Sequence, residues 1–225
     1  MKVKVMKLLL SALTKFIFGV LIVGVLIFLP AGSFYIDGIA FMLLLFIPVF
    51  VMGVLLFIKA PELLKKRLKS KEKENSQSKV IAFSALIFLF GFILAGLDFR
   101  FGWTYVSAPV KIIGAVLFLV SYALYAEIMR ENAYLSRVIE VQEDQRVIDT
   151  GLYSIVRHPM YLATIIMFLS IPLILGSLVS FAVFLAYPVV VIFRIKSEEQ
   201  ILTNGLNGYA EYKQKVKYRL IPFIW

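Results

Sequence analysis

The sequence predicts an all-α integral membrane protein, and three observations predict it. Of 225 residues, 61% are hydrophobic, and mean hydropathy is +0.90, whereas soluble domains hold about 45–50% apolar residues. Apolar runs of membrane-spanning length recur along the chain, and the basic residues gather between them. The net charge of +10 therefore fits a membrane-surface pattern better than the single basic domain expected of a nucleic-acid binder. With no cysteine and one histidine, thiolate chemistry and a multi-histidine metal centre are excluded too.

Each element is justified by length. A hydrocarbon core of about 30 Å needs roughly 20 apolar residues as a helix, because lipid offers backbone groups no partner. Leu8 to Pro30, Ile36 to Ile58, Val80 to Leu97 and Val106 to Met129 meet that requirement. None alternates polar and apolar residues as a barrel strand does. Lys15 and Lys111 lie near enough to one end of their runs to snorkel. The first run, preceded by Lys2, Lys4 and Lys7 and followed by Ala31-Gly32-Ser33, shares features with a signal peptide. Its length favours a retained span.

The fifth run, Met160 to Phe193, would measure about 50 Å as one straight helix, longer than the hydrocarbon is thick. Pro172 removes a backbone donor and Gly176-Ser177 follows, so a break at 172–177 and a helical hairpin are expected. The expectation is thus about five spanning elements, the last a long broken helix or hairpin. Charge bias agrees. Residues 59–79 carry eight Lys or Arg against three acids, which reads as a solvated cytoplasmic connection or a short helix on anionic lipid. Counting from it, the turns near Gly32 and Gly102 lie outside, and residues 130–157 lie inside. The tail with Arg194, Lys196, Lys213, Lys215, Lys217 and Arg219 also falls inside, provided the fifth run turns back.

No strand-associated glycine fingerprint, P-loop, HExxH or GxSxG occurs in the chain. Polar groups concentrate instead at 145–161 and 194–219, two segments that a hairpin would bring to one face. In Asp149-Thr150-Gly151-Leu152-Tyr153 the glycine suits a turn, and Arg157-His158-Pro159 suits a helix start with Pro159 first. The positive end of that helix is a ready place for the carboxylate of an amino-acid-like cofactor. The same residues also read as interfacial anchors, with Tyr153 and Tyr161 in an aromatic belt. Arg194 and Glu198 share a helix face at i, i+4, either as a surface pair or as functional groups costly to leave unused at the bilayer boundary. Gly208-Tyr209-Ala210-Glu211-Tyr212 through Trp225 reads as an amphipathic anchor, or as a lid.

Five elements taken in order, Val147-Ile148-Asp149-Thr150-Gly151-Leu152-Tyr153, Val156-Arg157-His158-Pro159-Met160-Tyr161, Arg194 with Glu198-Glu199, Gly208-Tyr209 with Tyr212, and Pro222-Phe223, resemble the isoprenylcysteine carboxyl methyltransferase family in a short prokaryotic-type form. Phospholipid N-methyltransferases share related patterns. The resemblance covers roughly residues 138–225 and implies an S-adenosylmethionine-dependent O-methyltransferase. By carry-over, the cofactor would meet Gln145, Arg146, Val147, Ile148, Tyr153, His158, Pro159, Met160, Tyr161 and Glu199. Arg194 would bind the substrate and, with Glu198, serve the reaction.

The implied acceptor is the carboxylate of a C-terminal isoprenylcysteine, reached from the bilayer, while the cofactor arrives from the cytoplasmic face. No metal and no nucleic acid are implied; membrane lipids and a lipophilic substrate are. The chain divides on this reading into N-terminal transmembrane helices, 1–130, and a catalytic region, 131–225. The first half carries no motif of the family. Three rival expectations are phospholipid or amine N-methylation with Glu198 or His158 as base, a non-catalytic lipid-binding protein, and a nicotinamide-dependent reductase of related architecture.

Overall fold

A computed structural model describes residues 2–68, 75–135 and 141–225, with the backbone alone described at 2–5 and 75–79. The described residues form helices α1 (Lys2–Ala31), α2 (Ile36–Lys59), α3 (Pro61–Leu68), α4 (Asn75–Phe101), α5 (Ala108–Glu131), α6 (Pro159–Leu175), α7 (Leu178–Phe184), α8 (Tyr187–Gly205) and α9 (Tyr209–Lys215), with a 3-10 turn at Gly151–Ser154. Among the described residues, five stretches are long and apolar enough to cross a membrane: Met6–Ala31, Ile36–Lys59, Val80–Phe101, Ala108–Glu131 and Leu178–Gly205. The four early runs read from hydropathy thus sit in α1, α2, α4 and α5.

The long apolar run breaks where the proline and glycine place it. Pro172 remains inside α6, and the helix stops at Gly176, whose φ of 77° is left-handed. The Ser177 amide then donates to Pro172 O at 2.9 Å, and the Ser177 hydroxyl caps α7 by accepting from the Ser180 amide at 3.0 Å. Sequence reading did not foresee a second interruption, at Leu185–Ala186. It arises because Pro188 near the start of α8 has no N–H to continue the ladder from α7. The return arm is therefore α7 followed by α8, and the end of α8 comes back beside the start of α6.

One end of the bundle collects the loops near Gly32, Gly102 and Gly176. There Asp98, 1% exposed, accepts from the Thr104 amide at 2.7 Å and from the Thr104 and Ser177 hydroxyls, while Lys111 pairs with Asp37. In lipid such groups must be paired, and these are. Tight packing on α4 supports that end: a Cβ on Gly96 would lie 2.4 Å from Ile27 O and 3.0 Å from Ala31 N, so α1 and α4 touch backbone to backbone.

The other end carries α3, the C-terminal part of α5, the start of α6 and the tail. Part of the basic connection is helical, as α3, and 69–74 lie outside the described residues. Leu63 and Leu64 of α3 are buried, Lys15 donates to Leu68 O, and the Arg67 guanidinium lies 5.3 Å from the Tyr125 ring. Both polar segments picked out from the sequence reach this end, which positions the site.

Candidate active site

Glu199 anchors the site from α8. It is 3% exposed, and a buried carboxylate is costly unless its oxygens are satisfied. Arg157 Nε donates to its Oε1 at 2.7 Å, His158 Nε2 lies 3.3 Å from the same oxygen, and Arg219 Nε donates to Oε2 at 2.9 Å. Arg157 NH1 donates in addition to Val216 O at 2.6 Å and to Lys217 O at 2.9 Å. The backbone joins the same three segments, since the amides of Arg157 and His158 donate to Tyr218 O and Arg219 O at 2.9 and 2.8 Å. One carboxylate therefore binds the entrance of α6, the exit of α8 and the tail together. Arg157 and His158 are 7% and 5% exposed, which removes the interfacial-anchor reading.

A cleft opens beside this cluster. It is walled by Gln145, Arg146, Val147 and Ile148 on the loop after α5, by Tyr153, His158, Met160 and Tyr161 around the start of α6, and by Arg194 and Glu198 on α8. Pro159 and Glu199 do not line it. Pro159 occupies the first position of α6, with His158 as N-cap, and Glu199 sits behind the wall it holds. Across the cleft the Tyr161 hydroxyl donates to Glu198 Oε2 at 2.6 Å and accepts from Arg194 Nε at 3.0 Å. The i, i+4 pair on α8 is thus joined through a phenol from α6.

Sequence reasoning missed several walls. Asn132, Tyr134, Leu135, Leu202, Leu206, Tyr209 and Tyr212 also line the cleft. The signal available was Gly208-Tyr209 with Tyr212, which the sequence alone presents as an anchor or lid. Those two rings are 4% and 5% exposed and pack with Leu206, Val147 and Leu202, and the Tyr212 hydroxyl donates to Tyr153 O at 2.7 Å. The tail is therefore a fixed wall. Burial, ahead of any charge nearby, raises the phenols of Tyr153, Tyr209 and Tyr212 above their ordinary value, so all three are protonated at neutral pH. No group of three His, Asp or Glu placed to hold a metal occurs among the described residues.

The fold and the cleft define a multi-pass membrane protein whose polar site is built where a helical hairpin closes on itself. Residues 110–207 match the phospholipid methyltransferase family model, a stretch that runs from α5 past the end of α8. Over that stretch, which is less than half of the chain, the protein is similar to phospholipid methyltransferases. A curated relative, the mouse (Mus musculus) Delta(14)-sterol reductase TM7SF2, is 31% identical over 84 residues, 36% of this chain. The match spans a fifth of that reductase's length, 20%. The solved structure of a eukaryotic intramembrane Ras methyltransferase, isoprenylcysteine carboxyl methyltransferase, is similar at 17% identity with a TM-score of 0.48, over 100% of this chain and 87% of that one.

Proposed function

We propose that this protein transfers a methyl group from S-adenosylmethionine to a lipophilic acceptor held at the membrane boundary, with the carboxylate of an isoprenylcysteine as the favoured acceptor. The observation that carries the reading is the Arg194–Tyr161–Glu198 chain in a cleft whose wall combines aromatic and apolar side chains with Asn132, Gln145, Arg146, Arg157 and His158. The lining fits the cofactor: Val147, Ile148, Leu202 and Leu206 offer apolar faces for a base, and Glu198 offers negative charge for a sulfonium or ammonium. When bound, the cofactor supplies an electrophilic methyl group.

An acceptor carboxylate is ionised at neutral pH and needs no base. Its oxygen forms the new bond to the methyl carbon, the carbon–sulfur bond breaks, and the electron pair leaves with sulfur; no proton moves. Arg194 holds that carboxylate by charge-assisted hydrogen bonds, and Glu198 with Tyr161 fixes the guanidinium. Catalysis then rests on in-line positioning of the acceptor and the methyl group within the cleft. Glu199 acts here as the residue that holds Arg157, His158 and Arg219, rather than as a direct cofactor ligand.

The family description favours a second reading, N-methylation of a phospholipid amine. That reaction must remove a proton from the ammonium, which Glu198 in the cleft would accept. Purified protein incubated with methyl-labelled S-adenosylmethionine and either a prenylcysteine or phosphatidylethanolamine decides between them. Label in the prenylcysteine alone supports carboxyl methylation, and label in the phospholipid alone overturns it. A nicotinamide titration in parallel tests the reductase reading that the sterol reductase match raises.

A further inference from the structure

Among the described residues, two buried side-chain polar atoms lack a hydrogen-bond partner, the hydroxyls of Tyr35 and Tyr209. Leaving a buried hydroxyl unsatisfied costs about 1–3 kcal/mol, so each such group calls for an explanation. Tyr35 sits at the start of α2, at the end of the bundle away from the cleft, with its ring stacked on Phe99 at 3.9 Å. Tyr209 lines the cleft.

Tyr209 and Tyr212 make an internal comparison. Both rise from α9, both belong to one apolar cluster with Leu206 and Val147, and their rings are 5.7 Å apart. Tyr212 spends its hydroxyl on the protein, donating to Tyr153 O, and so fastens the tail. Tyr209 contributes the same ring packing, which phenylalanine would supply equally well, and its hydroxyl bonds to nothing in the described chain. Burial first, then the nearby Glu198 and Glu199 carboxylates, keep that phenol protonated. It is a donor held by packing on a residue that lines the same cleft as the Arg194–Tyr161–Glu198 chain, its oxygen closed off from solvent in the fold without ligand.

We infer that the Tyr209 hydroxyl is a binding donor of the cleft, giving its hydrogen bond to an oxygen or ring-nitrogen acceptor of bound S-adenosylmethionine. The inference rests on the methyltransferase reading and adds to it a ligand contact from the tail, outside the 110–207 family match. It also gives the tail a purpose beyond anchoring, since α9 carries one tyrosine to fasten the wall and one to meet the ligand.

The test is calorimetric binding of S-adenosylhomocysteine to the full-length protein in detergent, comparing wild type, Tyr209→Phe and Tyr35→Phe, with melting temperatures taken without ligand. Tyr209→Phe is expected to bind about five- to tenfold more weakly, about 1–1.4 kcal/mol, the value of one hydrogen bond. Its unliganded melting temperature should be unchanged or raised, because an unsatisfied hydroxyl is gone. Tyr35→Phe should bind as wild type does.

Unchanged affinity in Tyr209→Phe, with wild type binding normally, overturns the inference and leaves the methyltransferase reading standing. A fall in unliganded melting temperature also overturns it, because it shows that the hydroxyl is satisfied within the fold. If wild type itself binds no S-adenosylhomocysteine, the methyltransferase reading fails and the inference fails with it.

Discussion

At the scale of single residues, the decisive group is the Tyr161 phenol between Arg194 and Glu198. If Arg194 holds the acceptor's carboxylate, Arg194→Ala should lower kcat/KM by at least a hundredfold, about 2.7 kcal/mol of transition-state stabilisation, with S-adenosylhomocysteine affinity retained. Steady-state kinetics beside calorimetry check this, and a wild-type rate would remove Arg194 from the chemistry. Tyr161→Phe deletes only the bridge. It should reduce kcat about tenfold and leave the cofactor's KM unchanged, whereas a change confined to that KM would support the cofactor contact that the family resemblance implies for Tyr161. Much of this was legible from type and spacing, since Arg194 and Glu198 are one helical turn apart. The phenol between them was not, because it comes from 33 residues away and depends on the hairpin closing in the right register.

At the scale of elements, the family resemblance implies that Glu199 meets the cofactor, whereas packing turns it away from its neighbour Glu198 and into the protein. Consecutive residues on a helix point about 100° apart, so one faces the cleft while the other enters the protein. Glu199→Ala should leave Arg157 buried without its carboxylate, and removing one partner of a buried pair typically costs about 3–5 kcal/mol. Denaturation in detergent should show that loss, along with a tail that proteases cut more readily near 216–225. Stability equal to wild type would mean that the three segments are held by their backbone bonds alone. The same reasoning applies to α1 and α4. Gly96→Val puts side-chain atoms where Ile27 O and Ala31 N now lie, and a lowered melting temperature with unchanged S-adenosylhomocysteine affinity is expected. The hairpin's first break was legible because Gly176 and Pro172 carry local signals. The seam between α7 and α8 was harder to see, since its cause, Pro188, also suits an uninterrupted helix start.

At the scale of the whole molecule, span count and order were legible because lipid enforces helix length, and nothing in a single residue's surroundings overrides that constraint. The cleft's far wall was less legible, because apolar and aromatic tail residues carry the same pattern whether they coat a membrane or line a pocket. The assembled bundle has two unlike ends. The cleft, α3 with its basic residues and the tail share one, and the loops near Gly32, Gly102 and Gly176 share the other. Lys and Arg accumulate on the cytoplasmic side, so the cleft is expected to open there. Because the chain has no cysteine, single cysteines report position without a background. Tyr105→Cys lies in the turn between α4 and α5 and Phe223→Cys in the tail, at positions 80% and 88% exposed. A membrane-impermeant maleimide applied to intact cells should label Tyr105→Cys and should label Phe223→Cys only after permeabilisation. The opposite pattern would put the cleft on the outer face, out of reach of a cytoplasmic cofactor, and would count against methyl transfer itself as well as the orientation.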